Sequence, residues 1–318
     1  MIVDLFAGPG GMDHGAHMAG VPSVGIEWDV NAVATRIAAG LATVHGDVRT
    51  YGPRDFPDAT ILTGGPPCQT FTIAGDGSGR AELDRIITAV KQMGAGDHVD
   101  PSMFADERTA LILEPLRWAI EDFECGYNAI VLEQVPQALP VWEAYAEVLR
   151  AEGYSVATGI LRAEQYGVPQ TRRRAVLVAR LVGDAVLPAP THRPYRKGVP
   201  QHEGDPRLLP WLSMADTLPN RGPFTVISNY GTGGDPKNRG RRTSAEPAFT
   251  VTGKISRLRL VDPDGRELPR LTPSEAGRLQ GFPADWPWSG CEIPQQIGNA
   301  CPPPLATALI RAALASAV

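Results

Sequence analysis

Short apolar segments alternate with helix-like stretches through the first 180 residues, and this alternation constrains the fold more than any other feature of the chain. The predicted strands are Ile2–Phe6, Ser23–Ile26, Thr60–Thr63, Ala129–Leu132 and Ala175–Ala179. The predicted helices are Asp29–Ala39, Asp106–Phe123 and Leu139–Arg150. Continuous runs rich in Val and Ile are typical of strands buried on both faces. Because such strands alternate with helices, the sequence predicts an α/β fold with a mostly parallel, doubly wound sheet.

Two stretches depart from this alternation and set the predicted domain boundaries. Residues 76–105 show no clear period and are expected to form a long loop or helical insertion over the carboxyl edge of the sheet. Pro, Gly, Arg and Asn dominate residues 188–259, which predicts a small, loop-rich second lobe. Regular structure returns at Thr272, a predicted helix cap. We therefore expect residues 1–187 and 260–318 to form one domain around the lobe.

The charge is distributed unevenly along the chain. The formal net charge is −5, yet residues 188–259 hold 12 Lys and Arg against 5 Asp and Glu. The rest of the chain holds 18 basic and 30 acidic residues. A basic segment on an acidic body is typical of a nucleic-acid-binding lobe, although a solvated loop region without a partner has the same composition. The charge alone leaves both alternatives open.

The cysteines and the apolar segments indicate the compartment. The four cysteines form no CxxC pair, so neither a disulfide scaffold nor a zinc site is predicted. The longest apolar stretch, Leu305–Val318, is 14 residues long and contains Arg311, which makes it too short and too charged to cross a bilayer. No secretory leader precedes the first strand. We expect a cytoplasmic protein without a metal or a membrane partner.

A glycine-rich turn at residues 4–11, DLFAGPGG, follows the first predicted strand and precedes a helix. Glycines in such a turn allow the backbone to approach a nucleoside ligand. Glu27 ends the second strand, where a carboxylate can accept hydrogen bonds from ribose hydroxyls, and Trp28 beside it offers an aromatic face. Asp47 is placed to hold an exocyclic amine. The spacing departs from GxGxxG, which disfavours a pyrophosphate cofactor and hence a dinucleotide oxidoreductase.

Three further motifs carry reactive side chains. Cys68 follows a buried strand in the rigid loop GGPPCQTFT, where a thiolate is a candidate nucleophile. Glu133 ends another strand at the same edge and can serve as an acid. Arg172 and Arg174 alternate along the start of a strand, so their side chains are expected on one face, able to hold a base oxygen or a phosphate.

Six motifs occur in a fixed order along the chain: the FxGxGG turn beginning at Phe6, then PPCQ, a Glu-x-Val triplet, QxRxR, RLQGFP and QIGNA. In this set and order the chain resembles the S-adenosylmethionine-dependent DNA cytosine-5 methyltransferases. The resemblance covers nearly the whole chain and leaves about residues 76–105 and 188–248 unmatched. Gln134 stands where the family has an Asn that braces the proline loop, and Thr72 stands where it has a Ser. Neither departure removes a reactive group.

The resemblance implies a Rossmann-like methyltransferase domain with a small target-recognition lobe, and it assigns roles to individual residues. The implied catalytic residues are Cys68, Glu133, Arg172 and Arg174. The implied cofactor-binding residues are Phe6, Gly8, Gly10, Glu27, Trp28, Asp47, Val48, Pro67, Leu111 and Asn299. The implied DNA-binding residues are Gln69, Thr72, Lys237, Arg239, Arg241 and Arg242. The implied cofactor is S-adenosyl-L-methionine, with S-adenosyl-L-homocysteine as the product.

The implied reaction is methyl transfer to C5 of a cytosine flipped out of double-stranded DNA, by addition of Cys68 to C6 while Glu133 acts at N3. The alternatives are an RNA (tRNA) cytosine-5 methyltransferase and a non-catalytic DNA-binding homologue. The resemblance favours a monomer in a bacterium or phage. It leaves open whether the enzyme acts alone or is paired with a cognate restriction endonuclease in a restriction-modification system.

The segment that is free to read bases is short, roughly Pro219–Pro247, so we expect a target site of roughly two to four base pairs. Lys237 is expected to meet phosphate, since lysine acts there as a point charge. We expect residues 76–105 to close as a lid over the flipped base, with hinges at Gly75, Gly77 and Gly79; the alternative is a rigid surface insertion. The candidates for reading bases are Arg239, Arg241 and Arg242 for guanine, and Asn229 and Asn238 for adenine. The alternative is that all three arginines contact phosphates and read no sequence.

Overall fold

A computed structural model describes residues 1–67, 78–104, 106–121, 126–231 and 239–315 of the 318-residue chain. Within these ranges a seven-stranded sheet lies at the centre, with strand order β3-β2-β1-β4-β5-β7-β6. Its strands are β1 (Ile2–Leu5), β2 (Ser23–Glu27), β3 (Thr43–His45), β4 (Ile61–Gly64), β5 (Ala129–Gln134), β6 (Ser155–Arg162) and β7 (Arg173–Arg180). The first five strands are parallel to one another, whereas β7 runs antiparallel to both β5 and β6. The predicted mostly parallel, doubly wound sheet is confirmed.

All five predicted strands are present, as β1, β2, β4, β5 and β7. The prediction missed β3 and β6, which are the two edge strands. Every residue of β6 is partly or fully exposed, and β3 is only three residues long. A continuous apolar run reports burial on both faces. Edge strands lack that burial, so their sequences carry no such signal.

Helices cover both faces of the sheet. They are α1 (Gly11–Met18), α2 (Val30–Ala38), α3 (Ser78–Gly94), α4 (Glu107–Ala110), α5 (Glu114–Ile120), α6 (Leu139–Ala151), α7 (Met214–Thr217), α8 (Pro273–Gln280), α9 (Ile293–Asn299) and α10 (Pro303–Leu314). Ile130 and Leu132 of β5 join the core beneath α3, α5 and α6, whereas Val131 joins the core beneath α1 and α10. This alternation along a fully buried strand is what two layers of helices require.

The predicted helices are present with changed bounds. The stretch Asp106–Phe123 contains α4, a single 3₁₀ turn at Leu111–Leu113 and α5, because Pro115 occupies the first turn of α5 and cannot continue a preceding helix. Thr272 caps α8: its hydroxyl accepts from the Glu275 amide, and the Glu275 carboxylate accepts from the Thr272 amide. Within the predicted insertion, residues 78–94 form α3, while the hinge candidates Gly75 and Gly77 lie outside the described residues.

The basic segment contains more regular structure than its composition predicts. A second, antiparallel sheet has the order β11-β10-β8-β9, with β8 (Thr225–Gly231), β9 (Arg239–Thr243), β10 (Arg259–Val261) and β11 (Glu267–Leu268). A separate core beneath it includes Met214, Phe224 and Leu260 together with Leu279 of α8 and Ile297 of α9. β9 consists mostly of Arg and Gly, and β10 and β11 are only three and two residues long, so sequence periodicity does not detect these strands. The β10–β11 hairpin begins at Arg259, the predicted end of the lobe, and extends past it.

Across the described ranges, no helix combines the length and the apolar character needed to span a bilayer.

Candidate active site

A cavity of about 690 Å³ opens at the carboxyl edge of the parallel strands. It lies where the strand order reverses between β1 and β4, which is the usual ligand position in such sheets. The predicted cofactor-binding residues in its wall are Phe6, Gly8, Glu27, Trp28, Asp47, Val48, Pro67, Leu111 and Asn299. The predicted catalytic residues Glu133, Arg172 and Arg174 line the same cavity.

The turn after β1 is shaped by left-handed backbone conformations. Phe6, Gly8 and Gly10 have φ values of 59°, 55° and 96°. No atom lies within 4 Å of the place where a Cβ would stand on Gly8, so its backbone borders open space. Gly10 is outside the cavity lining; it caps α1, and a Cβ there would collide with the Leu41 side chain. Gly8 therefore gives access to a ligand, whereas Gly10 permits close packing.

The carboxylate of Glu27 is fixed by the backbone. The amides of Gly8 and Asp29 donate to it at 2.7 Å, and the Trp28 amide donates at 2.9 Å. Burial raises the pKa of Glu27, against the opposing effect of these hydrogen bonds. A carboxylate has about four acceptor positions, so capacity remains for a ligand hydroxyl. Trp28 is 70% exposed at the same rim.

Asp47 follows β3 and lines the cavity, but its carboxylate is shared with a neighbouring arginine. Arg49 donates from Nη2 to Asp47 Oδ2 at 2.6 Å and from Nε to Oδ1 at 3.1 Å. These hydrogen bonds lower the pKa of Asp47. Val48, only 4% exposed, adds an apolar surface beside it. Asp47 therefore offers an anionic acceptor held in place by Arg49, and Val48 offers a nonpolar surface next to it.

Glu133 and Arg174 form an ion pair inside the cavity. Arg174 Nε lies 2.6 Å from Glu133 Oε1, and the two side chains are 11% and 7% exposed, respectively. The contact follows from topology, because β7 runs antiparallel to β5 and its first residues lie beside the carboxyl end of β5. A guanidinium in this position holds the carboxylate in a defined orientation.

Arg172 is 1% exposed, and its guanidinium donates to main-chain carbonyls. Nη1 donates to Val251 at 2.9 Å and to Gly298 at 3.1 Å, and Nη2 donates to Ala300 at 3.2 Å. Burial lowers the pKa of this guanidinium, with the nearby Arg174 adding to the effect. Arg172 therefore joins the start of β7 to the second lobe and to the end of α9. Contact with substrate, expected for this residue, stays a prediction.

Gln134 links β5 to the proline loop. Its side-chain amide donates to the Pro66 carbonyl, and its oxygen accepts from the Val135 amide. The longer side chain thus contacts the loop that the family's Asn is expected to brace. Pro67 is described and lines the cavity, whereas Cys68, Gln69 and Thr72 lie outside the described residues.

Asp4 and Cys301 are among the cavity-wall residues to which the sequence assigned no role. Asp4 is 2% exposed; Thr63 donates to its Oδ1 at 2.6 Å, and Oδ2 has no hydrogen-bond partner among the described residues. Burial raises the pKa of Asp4, and Asp13 adds to the effect. Burial also raises the pKa of the Cys301 thiol, near Glu133. The sequence could have indicated both residues, because Asp4 is the first residue of the glycine-rich motif and Cys301 directly follows the motif QIGNA.

The arginines expected to contact DNA have different environments on β9. Arg242 lies over the rings of Phe249 and Tyr195, at 4.5 Å and 5.2 Å from their centroids. Its Nη1 also donates to Thr171 Oγ1 at 2.8 Å and to the Ala248 carbonyl at 2.7 Å. Arg241, by contrast, is exposed and Arg239 is half-buried. Lys237 and Asn238 lie outside the described residues, and only the backbone of Asn229 is described.

Among the described residues, no three His, Cys, Asp or Glu side chains are grouped so as to hold a metal ion.

Comparison with solved structures supports the fold. The structure of Schizosaccharomyces pombe Dnmt2 methyltransferase superimposes with a TM-score of 0.62 at 20% identity, covering 98% of each chain. A mutant of Spodoptera frugiperda DNMT2 gives a TM-score of 0.64 at 14% identity, covering 99% of each chain. The shared architecture is therefore the Dnmt2-type α/β fold.

Sequence comparison identifies the family. The Type II methyltransferase M.NaeI of Lentzea aerocolonigenes is 29% identical over 98% of this chain and 75% of its own length. M.NlaX of Neisseria lactamica, also a Type II methyltransferase, is 29% identical over 97% of this chain and 94% of its own. The family model described as C-5 cytosine-specific DNA methylase matches residues 1–197 and 219–315. Because this model matches most of the chain, the protein belongs to the C-5 cytosine-specific DNA methylase family.

Proposed function

We propose that this protein transfers a methyl group from S-adenosyl-L-methionine to C5 of cytosine in double-stranded DNA. The observation that carries the proposal is that the Glu133–Arg174 ion pair lies in the same cavity as the residues expected to hold the cofactor. Methyl transfer requires the target base and the methyl donor to meet in one site. This cavity has groups that could contact the base, Glu133 and Arg174, and residues expected to hold the donor. Pro67, one residue before Cys68, belongs to that wall.

The cavity fits the proposed cofactor in size and in the polarity of its groups. A volume of about 690 Å³ is within the range of small-molecule sites. Glu27 would accept from ribose hydroxyls, Asp47 and Val48 would border the adenine, and the Gly8 backbone would lie along the nucleoside. When bound, S-adenosyl-L-methionine supplies a methyl group activated by its sulfonium.

The chain supplies the groups that activate cytosine. C5 of cytosine is a poor nucleophile, and addition of the Cys68 thiolate to C6 makes it enamine-like. Glu133 stabilises or protonates N3 as charge develops there, held in place by Arg174. C5 would then displace the methyl group from the sulfonium, which leaves S-adenosyl-L-homocysteine as the thioether product. Loss of the C5 proton to solvent would restore the C5–C6 double bond and expel the Cys68 thiolate. Because a stacked base cannot reach a buried pair, the cytosine must leave the duplex.

A cytosine-5 methyltransferase acting on RNA has the same chemistry and is the alternative. The similarity to proteins named Type II methyltransferases favours DNA. Incubation with labelled S-adenosylmethionine and either duplex DNA or tRNA separates the two. Label on C5 of cytosine in DNA supports the proposal; label confined to tRNA would contradict it.

A covalent trap tests the nucleophile directly. A duplex carrying 5-fluorocytosine should form a stable adduct with the wild-type protein, because fluorine cannot leave as a proton does. Cys68→Ala should form none while still binding the cofactor. Cys291→Ala is the matched control, since Cys291 is an exposed free cysteine, and it should form the adduct. An adduct with Cys68→Ala would remove Cys68 from the mechanism.

A further inference from the structure

A second cavity, of about 400 Å³, lies beside the first and shares Arg174 with it. Its wall combines β6, β7 and the segment between them with residues of the second lobe. The described residues that line it are Pro136, Arg162, Glu164, Thr171, Arg173, Arg174, Tyr195, Arg242 and Thr250. The wall therefore carries four guanidinium groups and one carboxylate, and its charge suits an anion.

Two of these arginines face each other across a strand pair. Arg162 of β6 and Arg173 of β7 are directly opposite in the antiparallel register. Like charges opposite each other destabilise a sheet. Both residues are exposed, and Arg162 lies 3.9 Å from the Glu164 carboxylate, at the outer limit of an ion pair. An anion bound between the two guanidinium groups would relieve this repulsion.

The single carboxylate cannot neutralise the wall. Glu164 is 2% exposed, and burial raises its pKa, which opposes ionisation. Arg174 is paired with Glu133, and Arg242 is bonded to Thr171 and to main-chain carbonyls. These two arginines form the fixed part of the wall. Arg162 and Arg173 form its exposed part, where an anion can enter.

We propose that this cavity binds a backbone phosphate of the DNA substrate, with Arg162 and Arg173 as its contacts. The inference rests on the proposed function, since it places the phosphate next to the nucleotide whose base enters the catalytic cavity. Arg174 lines both cavities, so the proposed phosphate site and the proposed base site are adjacent. A planar guanidinium suits a phosphodiester because it can donate two parallel hydrogen bonds. The cavity thus holds the target strand without reading its sequence.

The test measures the salt dependence of duplex binding for Arg162→Gln, Arg173→Gln and the double variant. Each lost phosphate contact should make the slope of log K against log salt shallower by about 0.9, and the double variant by about 1.8. The methylated sequence should stay the same. Arg180→Gln is the matched control: Arg180 lies at the opposite end of β7, bonds to the Asp184 carbonyl, and should leave the slope unchanged.

A second pair of measurements keeps the inference separate from the proposed function and from misfolding. Arg173→Lys should retain most of the slope, because an ammonium still pairs with phosphate as a point charge. Cofactor binding should be unchanged in every variant. Slopes equal to wild type in both glutamine variants would overturn the inference while DNA methylation by the wild-type protein still stands. A change of methylated sequence at one position, or loss of cofactor binding, would also overturn it, by indicating a base contact or a structural role.

Discussion

The proposed catalytic cavity and the second lobe both contain functional candidates with charged side chains, but these side chains are positioned in different ways. In the cavity, charged groups project from the ends of buried strands, as Glu133 does from β5. In the lobe, arginines lie along β9, a partly exposed strand of a small sheet. Because the core is close-packed, the position of a buried strand end is fixed by the side chains around it. On β9, each neighbouring side chain decides whether an arginine is part of the fold or available to a partner. The first arrangement provides fixed chemistry, and the second allows the contacts to vary.

The largest effect should come from the cavity. Glu133→Gln removes the acid but keeps the shape, so methyl transfer in a single turnover should slow by about 10²–10⁴-fold. Cofactor affinity should stay at the wild-type value. Glu147→Gln is the control. The Glu147 side chain lies on α6 and is 67% exposed, so this variant should retain the wild-type rate. Turnover by Glu133→Gln at the wild-type rate would show that the carboxylate takes no part in the reaction.

Arg172 connects the two regions, and its loss should affect stability more than chemistry. Arg172→Met leaves the buried carbonyls of Val251 and Gly298 without this donor, which should lower the free energy of unfolding by about 3 kcal/mol. The Ala300 carbonyl keeps the hydrogen bond from the Gln280 side chain. Urea denaturation measures this change. Arg173→Met, at an exposed neighbour, should change it by less than about 0.5 kcal/mol. Equal stability of the two variants would mean that the carbonyl contacts do not hold the regions together.

Substitution of neighbouring arginines of β9 should also change the free energy of unfolding by different amounts, but the difference should be smaller than for Arg172 and Arg173. Arg242→Ala removes the guanidinium between Phe249 and Tyr195 and should lower the free energy of unfolding by about 2 kcal/mol. Arg241→Ala should leave stability within about 0.5 kcal/mol of the wild type. If Arg241 or Arg239 reads a base, its alanine variant should relax specificity at one position, a discrimination of about 1–3 kcal/mol. Thermal unfolding and methylation mapping of the three alanine variants measure both effects; an unchanged target site in all three would exclude these arginines from base reading.

The smallest effect should come from the link between β5 and the proline loop. Gln134→Asn shortens the side chain that donates to the Pro66 carbonyl, so the loop is held less firmly. We expect kcat to fall by less than about tenfold, equivalent to about 1.4 kcal/mol, with unchanged cofactor affinity. The exposed Gln137 provides the control as Gln137→Asn. A faster Gln134→Asn variant would indicate that the longer side chain restrains the loop.

The same contrast explains what could be predicted from sequence. Val131 and its neighbours in β5 are buried on both faces, so their apolar run predicted the strand and placed Glu133 at its end. The half-exposed β6 gave no such signal, and the pairing of Arg162 with Arg173 was therefore hidden. The carbonyl partners of Arg172 are 79 to 128 residues away in the chain. Contacts at such distances depend on tertiary packing, which periodicity does not report.

The position of α10 has a consequence for the synthesis of the chain. This helix, from Pro303 to Leu314, packs against α1 and covers the face of the sheet that contains Val131 and Val178. While the ribosome is still making the second lobe, α1 can cover part of that apolar face, but the part beneath α10 is still exposed. Exposed apolar surface on a partly made chain promotes aggregation. Asn299, in the wall of the cavity, is also added late. The nascent protein therefore cannot complete its catalytic cavity until the segment that protects its core is also emerging.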